Sequence, residues 1–213
     1  MGLCVAVAAA AMIVWGGASA SGMGTGVPPL TVVKQVDLKR YVGTWYEIAS
    51  FPHSFQRGCV GSKATYTLRD DGDISVLNEC RKGSLDGEID SVQGKAWVDD
   101  PETNAKLKVS FFWPFRADYW IIDLGENYEY AVVGHPSRNY LWILSRTTEM
   151  DEALYNRIVE RLQKEQGYDT SRLQKTLQPS AVNRKRNGTG SIQWHLLGFS
   201  RTCPGPAAAC KLI

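Results

Sequence analysis

Between residues 43 and 145 the chain sets down eight short β-prone segments at near-regular spacing, each closed off by a turn signal. The segments are 43–50, 63–69, 73–81, 92–98, 105–111, 118–123, 129–135 and 140–145. A strand sends successive side chains to opposite faces, so a run of such segments must bury one face on a second sheet or by closing on itself. Eight antiparallel strands are enough to close an up-and-down barrel with room for one small ligand. The turns fit short antiparallel connections. Asp71-Gly72 tolerates the positive φ of a tight reversal, and Asp99-Asp100-Pro101-Glu102-Thr103-Asn104 and Gly125-Glu126-Asn127 punctuate in the same way.

One segment changes period. Leu154, Ile158 and Leu162 recur every four residues, with Val159 widening the stripe. Thr148 and Asp151 read as a capping pair before it and Gly167 as its stop. The expectation is an all-β fold, an eight-stranded antiparallel up-and-down barrel with one C-terminal α-helix packed outside.

The flanks are of another kind. Residues 1–20 read as a signal peptide, because Val5 to Val14 is an apolar run and Ala18-Ser19-Ala20 is a small-residue cleavage site. No Lys or Arg precedes that run, and it is too short to cross a bilayer. Residues 21–35 read as a linker, 36–178 as the barrel with its helix, and 179–213 as an irregular tail without period. Export places the protein in the periplasm or at the outer membrane. With 24 basic and 22 acidic residues, the net charge of +2 provides no field to gather nucleic acid.

Two stretches carry a resemblance: Gly43-x-Trp45-Tyr46-Glu47 at the start of the first strand, and Tyr140-Leu141-Trp142-Ile143-Leu144-Ser145-Arg146 on the last. A barrel around a cavity must plug one end, and an arginine laid over an indole does so with a cation–π contact of about 0.5–2 kcal/mol. Together with Tyr66-Thr67-Leu68-Arg69-Asp70-Asp71-Gly72 and Lys106-Leu107-Lys108-Val109-Ser110-Phe111-Phe112, these strings resemble the lipocalin family, in its bacterial outer-membrane lipoprotein and apolipoprotein D branch. The resemblance makes Gly43, Trp45 and Arg146 the barrel-closing residues. It implies a carrier of fatty acids, lysophospholipids and other small lipophiles, with Tyr66, Asn78 and Trp142 at pocket positions, and it places the helix after the eighth strand.

Alternation extends the set. In Lys106 to Phe111 the charged and hydroxyl residues point out, so Leu107, Val109 and Phe111 point in. Ile74, Val76 and Asn78 are the inward set of the third segment, and Tyr66 with Leu68 of the second. Parity from Arg146 sends Leu144 and Trp142 inward. The expected ligand contacts are therefore Tyr66, Asn78, Val109, Phe111, Tyr119, Trp142 and Leu144. A sixteen-carbon chain buried at ~0.8 kcal/mol per methylene gains on the order of 10 kcal/mol before ordering costs. From alternation alone a filled core reads equally well, and the resemblance favours a hollow one.

Catalytic and metal signals are thin. His53, His135 and His195 are scattered and no Cys-x-x-Cys occurs, so neither metal nor cofactor is expected. Asp70/Asp71 and Asp99/Asp100 fall in turns, where Asp bonds its own backbone. Of Cys59, Cys80, Cys203 and Cys210, the hairpin at Asp71-Gly72 brings the first two alongside, which predicts a Cys59–Cys80 disulfide. The apolipoprotein D resemblance offers the other pairing, Cys59 to the tail. Phe111-Phe112-Trp113-Pro114-Phe115 clusters bulky residues between two strands, and Phe112, Trp113 and Phe115 are candidates for membrane contact or for a partner such as a second copy. The leading reading is a non-catalytic carrier serving the cell envelope. Its rivals are a lipocalin-fold enzyme, which needs a reactive thiol or acid inside the barrel, and a surface-binding module.

Overall fold

The computed structural model describes residues 29–180. The expected signal peptide, most of the linker, the tail beyond residue 180, Cys203 and Cys210 lie outside the described residues. A short helix, α1 (Leu38–Tyr41), leads into β1 (Gly43–Ser50). Seven strands follow: β2 (Cys59–Leu68), β3 (Ile74–Lys82), β4 (Ile89–Val98), β5 (Lys106–Phe112), β6 (Phe115–Leu124), β7 (Tyr130–Gly134) and β8 (Leu141–Ser145). Each is antiparallel to the next, β8 returns to β1 and β1 pairs with β2, so the sheet closes. Helix α2 (Glu152–Lys164) and a two-residue strand, β9 (Gln174–Lys175), complete the described chain.

Side-chain parity sorts the apolar residues into two clusters. Trp45, Tyr66, Ile74, Val76, Leu107, Ile121, Val133 and Leu144 pack inside the barrel. Ile48, Ala49, Ile122, Val132 and Ile143 pack outside it beneath Ile158 and Leu162 of α2. The same strands serve both because β7 and β8 are apolar on both faces, as a strand covered on both sides must be. Leu68 departs from its expected inward place. It faces Ile74 across the β2–β3 pair but sits beside the turn, 39% exposed, where the barrel wall has run out.

The helix begins differently from the expected Thr148–Asp151 pair. Asp151 alone is the N-cap and accepts from the Leu154 amide at 2.9 Å, while Thr148 is buried ahead of it. A carboxylate answers both the orphan amides and the positive end of the helix dipole, so the hydroxyl is not needed. Gly167 ends the helix at φ +68°, and the Tyr168 amide reaches back to the Leu162 carbonyl at 3.0 Å.

Two elements escape a reading by period. Strand β1 is bulged at Ile48, between Glu47 opposite Leu144 and Ala49 opposite Ile143. Glu47 shares the inward face with Trp45, and the bulge after it turns Ala49 towards α2 and brings Ser50, opposite Trp142, round to the face of Glu47. Strand β9 then pairs with Ala49 and Ser50, past the point where β2 leaves β1. The β1–β2, β3–β4, β5–β6 and β7–β8 connections stand at one end of the barrel. The other turns, with α1, stand at the opposite end.

Candidate functional site

The end bearing α1 is sealed. Trp45 is 0% exposed, and the Arg146 guanidinium lies 3.6 Å from its ring centroid. Arg146 also donates to the carbonyls of Arg40 (2.7 Å), Tyr41 (3.1 Å), Thr44 (3.1 Å) and Tyr128 (3.2 Å). The Trp45 indole N–H donates to the Tyr41 carbonyl at 2.8 Å. One side chain thus ties α1, β1 and the β6–β7 turn together over an aromatic lid. Gly43 is required on two counts: its φ is +100°, and a Cβ there would stand 3.3 Å from the Arg146 guanidinium.

Above this floor three phenols form a chain. The Tyr41 and Tyr119 hydroxyls are 2.7 Å apart, and those of Tyr119 and Tyr66 are 3.0 Å apart. Burial raises all three pKa values, Tyr66 to about 12 and the other two well above the ordinary phenol range, so each hydroxyl keeps its proton. Two contacts consume two of the three protons.

Towards the other end the wall opens. Asn78 stands between Ala64 and Val92 on neighbouring strands, and Val109 beside Ala96, in the inward register. Asn78, Val109, Phe111, Tyr119 and Trp142 are only half buried, whereas Tyr66 and Leu144 are buried in the deeper wall. An inward side chain in a closed barrel stays accessible only if it borders space reached from the open end. Gly94 lets the Phe111 ring pack against the wall, since a Cβ there would fall 2.6 Å from that ring.

The β1–β2 connection leans over this mouth. His53 stacks on Phe55 at 3.9 Å, with its ring centroid 5.4 Å from Trp142, and Trp142 stacks on Tyr140 at 6.0 Å. Both His53 ring nitrogens are buried without a hydrogen-bond partner, and desolvation lowers its pKa to about 4. The connection is fastened by groups the sequence reading did not single out. The Glu47 carboxylate accepts from Ser50 (3.0 Å), Gln56 (2.7 Å) and Thr176 (2.5 Å), and Gln56 also donates to the Ser62 hydroxyl at 2.8 Å. The bulge at Ile48 brings Ser50 into reach of Glu47, and a bulge leaves no signal in hydrophobic period. Tyr41 was likewise missed, because α1 is too short to show a helical repeat.

The disulfide joins Cys59 to Cys80, with Cα atoms 5.5 Å apart, and pins the same connection to β3. The β5–β6 aromatic segment is shorter as a loop than it reads, for Phe112 and Phe115 pair across a turn of Trp113-Pro114 alone. Among the described residues no three His, Cys, Asp or Glu side chains gather as a metal site.

The result is an eight-stranded antiparallel barrel sealed at one end by an arginine-covered tryptophan, with half-buried inward side chains towards the other. The model of the lipocalin-like domain matches residues 36–178, and the chain belongs to the lipocalin family. Temperature-induced lipocalin-1 of Arabidopsis thaliana is 43% identical over 177 residues, covering 78% of this chain and 93% of that protein. Outer membrane lipoprotein Blc of Escherichia coli (strain K12) is 43% identical over 156 residues, 72% of this chain and 87% of its own length. Apolipoprotein D of Mus musculus is 37% identical over 119 residues, 54% of this chain and 59% of that protein. Among solved structures, insecticyanin from the tobacco hornworm Manduca sexta aligns with a TM-score of 0.57 at 20% identity, over 73% of this chain and 87% of its own, a likeness of fold.

Proposed function

We propose that this protein is a non-catalytic carrier that takes one small lipophile, an acyl lipid such as a fatty acid or lysophospholipid, into the open end of the barrel. The observation that carries the reading is the ring of half-accessible inward side chains, Asn78, Val109, Phe111, Tyr119 and Trp142, above a closed floor. Apolar and aromatic walls with a few neutral polar atoms suit a chain with a small head group. The ring carries no ionised side chain, so a charged head would stay at the mouth.

A carrier also fits the chemistry that is missing from that ring. The two described cysteines are spent on each other, and the Glu47 carboxylate is engaged by three donors. Service in the cell envelope, at the periplasm or outer membrane, draws support from the relative named as an outer membrane lipoprotein. On this reading the partners are the ligand and the membrane that supplies it.

Native mass spectrometry of protein purified without added lipid tests the proposal. Co-purified acyl lipid at one per chain is the expected result. A barrel that flies empty and takes up neither fatty acid nor lysophospholipid would sink it.

A further inference from the structure

Among the described residues four buried side-chain atoms lack a hydrogen-bond partner: both ring nitrogens of His53, Nε of Arg161 and Oε1 of Gln178. The last two belong to side chains anchored through their other atoms. Arg161 donates to Asp123 and Tyr130, and Gln178 donates to the carbonyls of Glu47 and Ser62. His53 alone of these three has every polar side-chain atom unpaired. For a stacking role the two nitrogens are only a cost, so the ring calls for a partner from outside the fold.

The surroundings indicate what kind of partner. Phe55 covers the imidazole at 3.9 Å, and the rings of Trp142 and Tyr140 stand 5.4 Å and 6.4 Å away. Trp142 packs in turn against the interior cluster, so His53 borders the half-accessible inward side chains where the head of an acyl ligand would rest. The charged groups on the neighbouring elements are occupied or turned to solvent. Glu47 is held by Ser50, Gln56 and Thr176, and Arg138 donates to the Gln166 carbonyl. Arg172 lies over Phe51, His135 stands 3.8 Å from Asp118, and Arg57 is exposed. None of them forms a hydrogen bond with the His53 ring.

A neutral imidazole offers one donor and one acceptor. Burial pushes the pKa of His53 down to about 4, so near neutral pH the ring meets its ligand uncharged. A carboxyl group that brings a proton matches it, because the pair then carries no net charge into an aromatic setting. A phosphodiester head stays ionised near neutral pH and cannot supply that match.

We infer that His53 is a specificity-determining residue, whose ring binds the head of a fatty acid as a carboxyl group together with one proton taken from solvent. The inference rests on the carrier reading and deepens it by naming the head group. Carboxylate, proton and empty protein combine into one neutral pair, with the proton between a carboxyl oxygen and a ring nitrogen, and no covalent bond forms or breaks.

The test is calorimetric titration of the full chain with decanoate, short enough to stay dispersed, at pH 6.5 in two buffers of different ionisation enthalpy. Decanoyl lysophosphatidylcholine is titrated beside it. Decanoate is expected to bind with uptake of about one proton per site, and its affinity to fall about tenfold for each further unit of pH. His53→Phe keeps the stack on Phe55 and should bind decanoate about tenfold more weakly or worse, without proton uptake. Its affinity for the lysophospholipid should stay within about twofold of the wild type, and a melting curve verifies that it is folded. Decanoate bound by the wild type without proton uptake, undiminished decanoate binding in His53→Phe, or an equal loss for both ligands would each overturn the role of His53 and leave the carrier standing. A wild type that binds the lysophospholipid alone does the same. A wild type that binds neither ligand overturns the carrier reading and this inference with it.

Discussion

The two ends of this barrel are built on opposite terms. At the sealed end the polar groups of the plug are answered: Arg146 meets four carbonyls, the Trp45 N–H a fifth contact, and three phenols one another. At the open end two His53 nitrogens have no partner and four aromatic side chains stand in solvent. A buried polar group left unpaired costs about 1–3 kcal/mol, and exposed aromatic surface gives up its burial energy. The floor is therefore where this fold gains stability, and the mouth is where stability is given up for a site that can admit something. Substitutions at the floor should unfold the protein, and substitutions at the mouth should change what it binds.

The largest effect expected is at the floor. Trp45→Ala empties a fully buried indole site and leaves the Arg146 guanidinium without its ring, for a loss of about 3–5 kcal/mol in denaturant unfolding. A variant that unfolds like the wild type would show that the seal does not hold the barrel. Next comes the disulfide, which bridges a sequence separation of 21 residues at the mouth. Cys59→Ser with Cys80→Ser should cost about 2–4 kcal/mol, largely through the unfolded chain. Hydrogen exchange should show the extra opening concentrated in residues 51–60, and uniform loosening of all strands would blur the contrast between the ends.

The smallest effect concerns pH. His53 titrates near 4 in the fold and near 6.5 when exposed, so the open or unfolded chain takes up its proton first as pH falls. Stability from this residue is complete above about pH 6.5 and is lost progressively down to about pH 4, by roughly 1 kcal/mol once its half-exposed position is discounted. His53→Phe preserves the stack on Phe55 and should flatten that part of the stability profile. An unchanged slope would assign the dependence to other groups.

What the sequence made legible follows from which forces leave a periodic trace. Strand β1 falls on the residues its pattern marks, and the inward parity of Ile74, Val76 and Leu107 shows in their burial, because one face of each strand had to be apolar. Strands β4 and β6 begin earlier than their apolar runs, at Ile89 and Phe115. Antiparallel pairing, Ile89 with Arg81 and Phe115 with Phe112, carries each ladder into residues that have no burial signal. The clasp of Glu47, Gln56 and Thr176 was not legible at all. It joins residues up to 129 positions apart through a bulge and a two-residue strand, and neither has a repeat to read. The candidate contacts were named by parity, yet parity could not tell Leu144, buried in the deep wall, from Trp142, accessible at the mouth. That distinction comes from the tilt and closure of the strands.

The contrast between the ends meets its most direct test in palmitate titration by calorimetry of the wild type and Trp142→Ala, each paired with a melting curve. The account expects one site per chain in the wild type, affinity weakened about tenfold or more in Trp142→Ala, and a melting temperature lowered by no more than a few degrees, since the ring is half buried and borders open space. Equal affinity in both proteins, or a variant that unfolds as readily as Trp45→Ala, would contradict it.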